Sequence, residues 1–195
     1  MKNIINIKEN IDYSKLIVTK EGKYSITKKN DGIQLLNFMK SILITLDDKI
    51  ITDLTGNIGG DTILFGLNFK KVFSIEINEE NFKALQNNVQ IYNLNNVELF
   101  FGDSTKIFNW FTDVLYIDAP WGGPDYKKFY DLDLFLGEIR LDIFLEDIKK
   151  KDNRPKYVFL KVPKNYRFYR LNSLGKINKF KIKNYYIIYL SFDDE

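Results

Sequence analysis

The sequence predicts an α/β fold built around a seven-stranded, mostly parallel β-sheet, and three observations favour it. First, short apolar runs typical of buried strands alternate with segments whose apolar residues recur at helical spacing. Second, a glycine-rich turn, residues 53–60, follows the first of these runs. Third, two apolar runs separated only by Lys183-Asn184 close the chain and predict an antiparallel hairpin. The alternation predicts parallel strands joined by right-handed crossovers.

The predicted elements follow one another without an internal repeat or a low-complexity linker. Helices are predicted where apolar residues fall on one face, over residues 30–46, 61–67, 78–92 and 135–148. Strands are predicted where apolar runs are short and bounded by polar or turn residues, over residues 49–53, 71–76, 97–101, 114–118, 157–162, 177–182 and 185–192.

The C-terminal hairpin distinguishes this prediction from a plain dinucleotide-binding fold. A seven-stranded sheet with one reversed strand near its edge is the arrangement expected of a Rossmann-like class I methyltransferase. A chain of 195 residues suits one domain with a substantial core. Residues 1–23 are polar and weakly patterned, so we expect a short N-terminal appendage followed by a single methyltransferase domain over residues 24–195.

The composition limits the chemistry that the chain can perform. It contains no cysteine, which excludes disulfides and thiolate metal sites. It also contains no histidine, which removes the commonest metal ligand and the usual general base. Catalysis must therefore use carboxylates, amides, backbone groups and a cofactor, and no metal is expected.

The charge distribution leaves two interpretations open. The formal net charge is only +3, but basic residues crowd the segments 15–29 and 149–170. Such clusters either form a surface for an anionic ligand or are solvated faces of a lysine-rich protein. No signal peptide or membrane-spanning run is recognisable. We therefore expect an intracellular protein, cytoplasmic or nuclear, that is a monomer.

The run Asp118-Ala-Pro-Trp-Gly-Gly-Pro-Asp-Tyr126 is the most informative part of the chain, because it directly follows a predicted strand. Ligands of open α/β sheets bind at the carboxyl ends of the strands. The run brings a carboxylate, from Asp118, and an indole ring, from Trp121, to such an end. This predicts capture of a flat base, with its ring against Trp121 and its exocyclic amine near Asp118.

Other strand-end signals predict the cofactor. The turn after the first strand, Asp53-Leu-Thr-Gly-Asn-Ile-Gly-Gly60, lacks the spacing of a pyrophosphate cradle and better suits S-adenosylmethionine, whose amino and sulfonium groups are cationic. Glu76 ends the second strand, where it could accept both ribose hydroxyls or be an ordinary strand-end acid. Gly102-Asp103 follows the third strand, where Asp103 could accept from the adenine amine or cap a helix.

The chemistry expected at the motif is methylation of an exocyclic amine. Such an amine is a poor nucleophile because its lone pair is delocalised into the ring. Acceptors that hold both N–H groups can turn the lone pair toward a methyl donor, and the enzyme must also align the two and exclude water. The Asp118 carboxylate and the Ala119 or Pro120 carbonyl are suitable acceptors.

The string Pro120-Trp-Gly-Gly-Pro-Asp-Tyr126 resembles the signature of the trimethylguanosine synthase family, which methylates the N2 amine of guanine in the 7-methylguanosine RNA cap. Further segments resemble family elements in the same order along most of residues 24–192. They are Tyr24-Ser-Ile-Thr27, Gly59-Gly60-Asp-Thr-Ile63, Ile75-Glu-Ile77, Asn87-Asn88 and Pro163-Lys-Asn165.

The resemblance, together with the strand-end signals, implies a set of site residues and an RNA partner that carries the cap. Those implied to be catalytic are Asp118, Pro120 and Trp121. Those implied to hold S-adenosylmethionine are Thr27, Asp53, Gly56, Gly59, Gly60, Asp61, Thr62, Glu76, Ile77, Gly102, Asp103 and Asp118. Those implied to bind the capped RNA are Trp121, Tyr126, Lys161, Pro163, Lys164 and Asn165, with a cation after the fifth strand meeting the cap phosphates.

The chain departs from the family pattern at several positions. Ala119 replaces the first proline of the motif, Asp118 stands where the family commonly has serine, and Asn57 occupies the position of a glycine. Family members also carry a longer segment before the tyrosine-serine element, and that segment helps to enclose the cap.

Two other functions stay open. One is methylation of guanine N2 or adenine N6 in another RNA or in DNA. The other is an inactive methyltransferase fold that binds capped RNA, which the acids Glu76 and Asp118 and the pair Gly59-Gly60 argue against. A stretch that interleaves aromatic and basic residues, 166–170, suits either RNA contact or the edge of a core.

Overall fold

A computed structural model describes residues 11–192 and divides the chain into two compact units, Met1–Gly102 and Asp103–Glu195. The first ten residues of the predicted appendage lie outside the described part. The single-domain prediction stays a prediction.

The first unit is a parallel α/β layer. Its elements, after a 3-10 helix at Tyr13–Lys15, are α1 (Gly22–Ser25), α2 (Lys29–Leu43), β1 (Ile50–Asp53), α3 (Gly60–Gly66), β2 (Lys71–Glu76), α4 (Glu79–Ile91) and β3 (Val97–Phe101). The strand order is β3-β2-β1, and both pairings are parallel. Because the strands run the same way, their carboxyl ends meet at one edge, where Asp53 and Glu76 lie.

Residues 16–28 are built into this unit. Leu16 and Ile26 are buried with Ile58, and residues of α3 and α4 complete the cluster. The fully buried amide of Asn88 accepts from the N–H of Ile17 at 2.8 Å and donates to the carbonyl oxygens of Ile17 and Ile58 at 2.9 and 2.8 Å. The amide therefore ties the N-terminal segment and the glycine-rich loop to one helix.

The second unit combines two parallel strands with an antiparallel hairpin. Its elements are α5 (Ser104–Ile107), β4 (Val114–Ile117), β5 (Phe135–Leu136), β6 (Ile139–Arg140), α6 (Leu141–Lys149), β7 (Tyr157–Pro163), β8 (Lys176–Ile182) and β9 (Tyr185–Ser191), with 3-10 helices at Pro124–Lys128 and Phe168–Leu171. The main strand order is β4-β7-β9-β8. β4 is parallel to β7, whereas β9 is antiparallel to both β7 and β8. Every residue of β4 is buried.

The predicted fold class is confirmed, since the sheet has seven strands, is mostly parallel and carries the C-terminal hairpin. One predicted element is wrong at its start. The helix expected over residues 135–148 begins at Leu141, and β5 and β6 occupy the preceding residues as an antiparallel pair. Gly137 allows that reversal because its φ of 53° is left-handed. The predicted helix over residues 30–46 also ends early, at Leu43, where Ile44 takes a φ of 67°.

Candidate functional site

The acid that ends β1 organises the loop that follows it. Asp53 is fully buried, and one carboxylate oxygen accepts the backbone N–H of Thr55 at 3.0 Å. The other oxygen accepts the hydroxyl of Thr62 at 2.7 Å, and that hydroxyl also lies 2.8 Å from the Ser74 hydroxyl. The two predicted cofactor ligands Asp53 and Thr62 are thus turned inward, and they fix the path of the loop.

The glycines of this loop are required by close packing. A Cβ on Gly56 would lie 2.4 Å from the Ser74 hydroxyl oxygen, and one on Gly60 would lie 2.5 Å from Ile26. Gly59 caps α3 with a left-handed φ of 98°. The backbone of residues 56–60 therefore lies directly against β2 and the N-terminal segment. A Cβ on Gly56 or Gly60 would prevent this close approach.

Two further predicted cofactor residues face each other beside the loop. The Thr27 hydroxyl donates to the Asp61 carboxylate at 2.7 Å, and both side chains are buried. This hydrogen bond fastens the end of the N-terminal segment to the first turn of α3.

Glu76 holds the loop from the neighbouring strand. Its two carboxylate oxygens accept the backbone N–H groups of Asn57 and Asn78, each at 2.7 Å. The side chain is 8 % exposed. Burial raises the pKa of Glu76, and repulsion from Glu21 adds to the effect, whereas the two backbone N–H groups oppose it. Ile77, the next residue, is an exposed apolar side chain.

The turn after β3 contains both predicted residues, Gly102 and Asp103. Within the first unit, the N–H of Gly102 donates to the Glu76 carbonyl at 3.0 Å. Within the second unit, Asp103 caps α5 by accepting the N–H and the hydroxyl of Thr105 at 3.0 and 2.7 Å. Burial raises the pKa of Asp103, but the hydrogen bonds from Thr105 and the nearby Lys106 outweigh it, and the pKa is lowered. The helix cap, one of the two roles that the sequence left open for Asp103, is therefore present in the structure.

The motif acid lies next to a buried cation. Asp118 follows β4, its side chain is 18 % exposed, and its Oδ2 lies 2.6 Å from the Nζ atom of Lys161. Lys161 belongs to β7, and its side chain is only 6 % exposed. The ammonium group of Lys161, a predicted substrate-binding residue, is turned onto Asp118, and its contact with substrate stays a prediction.

Trp121 sits in a group of aromatic rings. Its ring centroid lies 5.0 Å from that of Tyr126, edge to face, and 5.9 Å from that of Tyr185. Burial raises the pKa of Tyr126. The indole N–H is buried and has no hydrogen-bond partner within the described residues. Within the motif, Ala119 is buried, whereas Pro120 is exposed.

Asn165 holds the motif loop in place. Its side-chain amide donates to the carbonyl oxygens of Tyr126 and Phe129 at 2.9 and 2.8 Å. Tyr126 lies within the 3-10 helix Pro124–Lys128, and Phe129 follows its last residue, so these bonds hold the second half of the helix that follows Gly123, whose φ is 79°. Asn165 therefore supports the loop that carries Trp121. Both N–H groups of its side chain are used in this role, and its contact with substrate stays a prediction.

Of the remaining predicted substrate residues, Pro163 is buried and pairs with Tyr185 across β7 and β9, and Lys164 is exposed. Within the stretch 166–170, the two arginines are engaged internally. Arg170 donates to both oxygens of Asp133 at 3.1 Å, and Arg167 donates to the same carboxylate at 2.8 Å. The stretch is thus an ion-paired edge of the second unit.

A family model for RNA cap guanine-N2 methyltransferases matches residues 48–192. The chain belongs to this family. The matched range begins just before β1 and ends one residue after β9, so it includes the loop at Gly59, the strand end at Glu76 and the whole Asp118–Tyr126 motif.

Relatives with related sequences include proteins from a virus and from fungi. An uncharacterized protein of Acanthamoeba polyphaga mimivirus is 34 % identical over 146 residues, which are 71 % of this chain and 57 % of that protein. The trimethylguanosine synthases of Saccharomyces cerevisiae and Schizosaccharomyces pombe are 26 % and 27 % identical, over 76 % and 83 % of this chain and 50 % and 69 % of theirs. The chain thus spans about half to two thirds of the length of these relatives.

Solved structures of similar fold are also methyltransferases. A T. thermophilus 16S rRNA N2 methyltransferase, in complex with AdoMet and guanosine, has a TM-score of 0.64 at 14 % identity, covering 82 % of this chain and 42 % of that chain. A precorrin-6y C5,15-methyltransferase from Geobacter metallireducens has a TM-score of 0.65 at 16 % identity, covering 96 % and 97 %. At these identities the likeness concerns the fold.

Membership of the family confirms S-adenosylmethionine as the cofactor. The residues of the first unit suit it. Each Glu76 oxygen already accepts one N–H and retains a second lone pair, which is the acceptor that a ribose hydroxyl needs. No cluster of three potential metal-ligating side chains occurs in residues 11–192, and no helix there is long and apolar enough to cross a membrane.

Two contributors to the site were missed in the sequence. Tyr185 opens β9 and contacts Trp121, but only the β7–β9 register, which pairs Pro163 with Tyr185, reveals this. Asn57 was considered only as a replacement for glycine, whereas its left-handed backbone presents its N–H to Glu76. The signal available for Asn57 was its residue type, because asparagine tolerates this conformation.

Proposed function

We propose that the chain methylates the exocyclic N2 amine of guanine in the 7-methylguanosine cap of RNA, with S-adenosylmethionine as the donor. The observation that carries the proposal is the pairing of an acceptor, Asp118, with an aromatic face, Trp121, in one motif at the end of β4. The family match over residues 48–192 and the fungal trimethylguanosine synthases support it.

The roles follow from the chemistry of each group. Bound S-adenosylmethionine supplies an electrophilic methyl group. Asp118 accepts N–H groups from the amine-bearing edge of guanine, which turns the nitrogen lone pair toward the donor, and its carboxylate takes the proton that the methylated amine loses. The Trp121 face stacks on the base, and a ring with a positive charge adds cation–π attraction of about 0.5 to 2 kcal/mol. Pro120 and the Asn165-held loop keep Trp121 beside Asp118.

Cofactor binding falls to the first unit. We propose that Glu76 accepts the ribose hydroxyls, that the backbone of residues 56–60 approaches the cofactor, and that exposed Ile77 flanks its base. Asp53, Thr62, Thr27 and Asp61 act through the loop, since their side chains bond to one another or to the backbone. Gly102 and Asp103 shape the turn at the end of β3.

The test is methyl transfer from labelled S-adenosylmethionine to 7-methyl-GTP and to GTP. We expect transfer to 7-methyl-GTP, a strong preference over GTP, and loss of transfer in Asp118→Ala and Trp121→Ala with the cofactor affinity retained. Equal transfer to both nucleotides would contradict the proposal that Trp121 recognises the positively charged ring of 7-methylguanine.

A second candidate is guanine-N2 methylation in another RNA. It is favoured by the shared fold of the 16S rRNA N2 methyltransferase. In that case neither nucleotide accepts a methyl group, whereas uncapped RNA does.

A further inference from the structure

A buried lysine is an unusual residue for the interior of a β-strand, and Lys161 occupies such a position. It lies within β7 between Leu160 and Val162, which are both fully buried. Removing an ammonium group from water is costly unless an opposite charge and well-placed hydrogen bonds compensate for it. The compensating charge here is Asp118, at 2.6 Å.

The same ammonium group also lies against aromatic rings of the site. Its Nζ atom is 5.9 Å from the ring centroid of Trp121 and 5.4 Å from that of Tyr185. Both distances are within the range of cation–π attraction. One cation therefore contacts the acid and the ring that the motif provides for a base.

We propose that Lys161 is a positioning residue for Asp118, and that it does not bind the phosphates of the substrate. This inference rests on the proposed function. By holding Oδ2, the ammonium group fixes the orientation of the carboxylate, whose oxygens accept hydrogen bonds.

The first arm of the test separates positioning from phosphate binding. Transfer is measured with 7-methylguanosine, which has no phosphate, and with 7-methyl-GTP. Lys161→Met should lower kcat by about 100-fold on both substrates, as expected for a misplaced reactive geometry. A loss confined to 7-methyl-GTP and seen in KM would overturn the proposal.

Matched variants calibrate this arm. Lys164→Met removes the exposed cation three residues later and should affect only the substrate that carries phosphates. Lys156→Met removes a cation that lies 5.4 Å from the Tyr157 ring just before the start of the same strand, and it should leave transfer unchanged.

The second arm is a double-mutant comparison. Because Lys161 acts through Asp118, Asp118→Asn/Lys161→Met should have the activity of Asp118→Asn alone within about 2-fold. A further 10-fold loss in the double variant would overturn the proposal. The double variant leaves no unpaired charge of this pair, so the comparison does not require Lys161→Met itself to fold, and calorimetric affinity for S-adenosylmethionine reports folding of each protein.

Failure of the proposed function is distinguished by the wild type. If the wild type transfers no methyl group to either substrate, that function fails, and the same comparison is made on equilibrium binding of 7-methyl-GTP followed by tryptophan fluorescence. Equal affinities of Asp118→Asn and the double variant then support positioning. Unequal affinities, or no binding by the wild type, overturn it.

Discussion

The carboxylate of Glu76 accepts the backbone N–H of Asn57 at 2.7 Å, which links the end of β2 to the glycine-rich loop after β1. Asn57 has a φ of 48°, and this left-handed conformation aims its N–H at β2. The acid proposed to hold the ribose is thereby part of the framework that shapes the rest of the cofactor loop.

Replacing Glu76 with glutamine should change how the free energy of unfolding depends on pH. The pKa of Glu76 is raised by burial, so the folded protein binds this proton more tightly than the unfolded chain does. The stability that this difference contributes is present below pH 4.5, the ordinary value, and is lost as pH rises through the folded pKa. We expect the free energy of unfolding, measured in urea over a pH series, to show this fall in the wild type. Glu76→Gln should lack it, and identical pH profiles would contradict the prediction.

Asn57 should tolerate glycine better than alanine. Alanine in a left-handed conformation costs roughly 1–2 kcal/mol, whereas glycine adopts it freely. Both variants lose the side-chain bond from Asn57 to the Ser25 hydroxyl, at 2.7 Å, so glycine is a matched control for the backbone term. Urea unfolding should show Asn57→Ala to be the less stable variant. The reverse order would contradict a left-handed backbone at position 57.

Gly60→Ala should destabilise the first unit by about 1–3 kcal/mol, the usual cost of overpacking. Its Cβ would lie 2.5 Å from Ile26. Combining it with Ile26→Ala should recover part of the loss, because the clashing side chain is then shortened. Strict additivity in thermal unfolding of the two single variants and the double variant would exclude the clash as the cause.

Asn165→Ala should loosen the motif loop without affecting phosphate recognition. It removes the two bonds to the Tyr126 and Phe129 carbonyl oxygens, and a typical hydrogen bond contributes about 0.5–1.5 kcal/mol net. We expect KM to rise by similar factors for 7-methylguanosine and 7-methyl-GTP. Asn165→Asp is the stricter variant, as a carboxylate of nearly the same shape cannot donate either bond. A rise in KM seen only with 7-methyl-GTP would contradict this prediction and would indicate that Asn165 contacts the phosphates.

Strand ends were predictable from the sequence because their chemistry is local. Glu76 and Asp118 each follow a short apolar run, so their place at a carboxyl edge follows from the parallel fold. The partners of these acids were not predictable in the same way. The ion pair of Asp118 joins residues 43 positions apart, and only the three-dimensional arrangement of β4 and β7 brings them together.

A local turn accounts for the wrong start of the helix predicted over residues 135–148. The apolar pattern of residues 135–148 fits a helix, but Gly137 reverses the chain, and the helix starts only at Leu141. Asn165 was predicted only as a substrate-binding residue, and the support that its amide gives to the motif loop was not predictable from its neighbours Pro163 and Lys164. Periodicity carries no information on a single left-handed glycine or on which carbonyl an amide will meet.

The position of the new methyl group on capped RNA decides whether the chain methylates N2 of the cap guanine. RNA with a 7-methylguanosine cap is incubated with labelled S-adenosylmethionine, digested to nucleosides and analysed by mass spectrometry. We expect label on N2 of the cap guanine, absent with the Asp118→Ala variant and absent when the cap is removed beforehand. Label on internal nucleosides, equal with and without the cap, would contradict it.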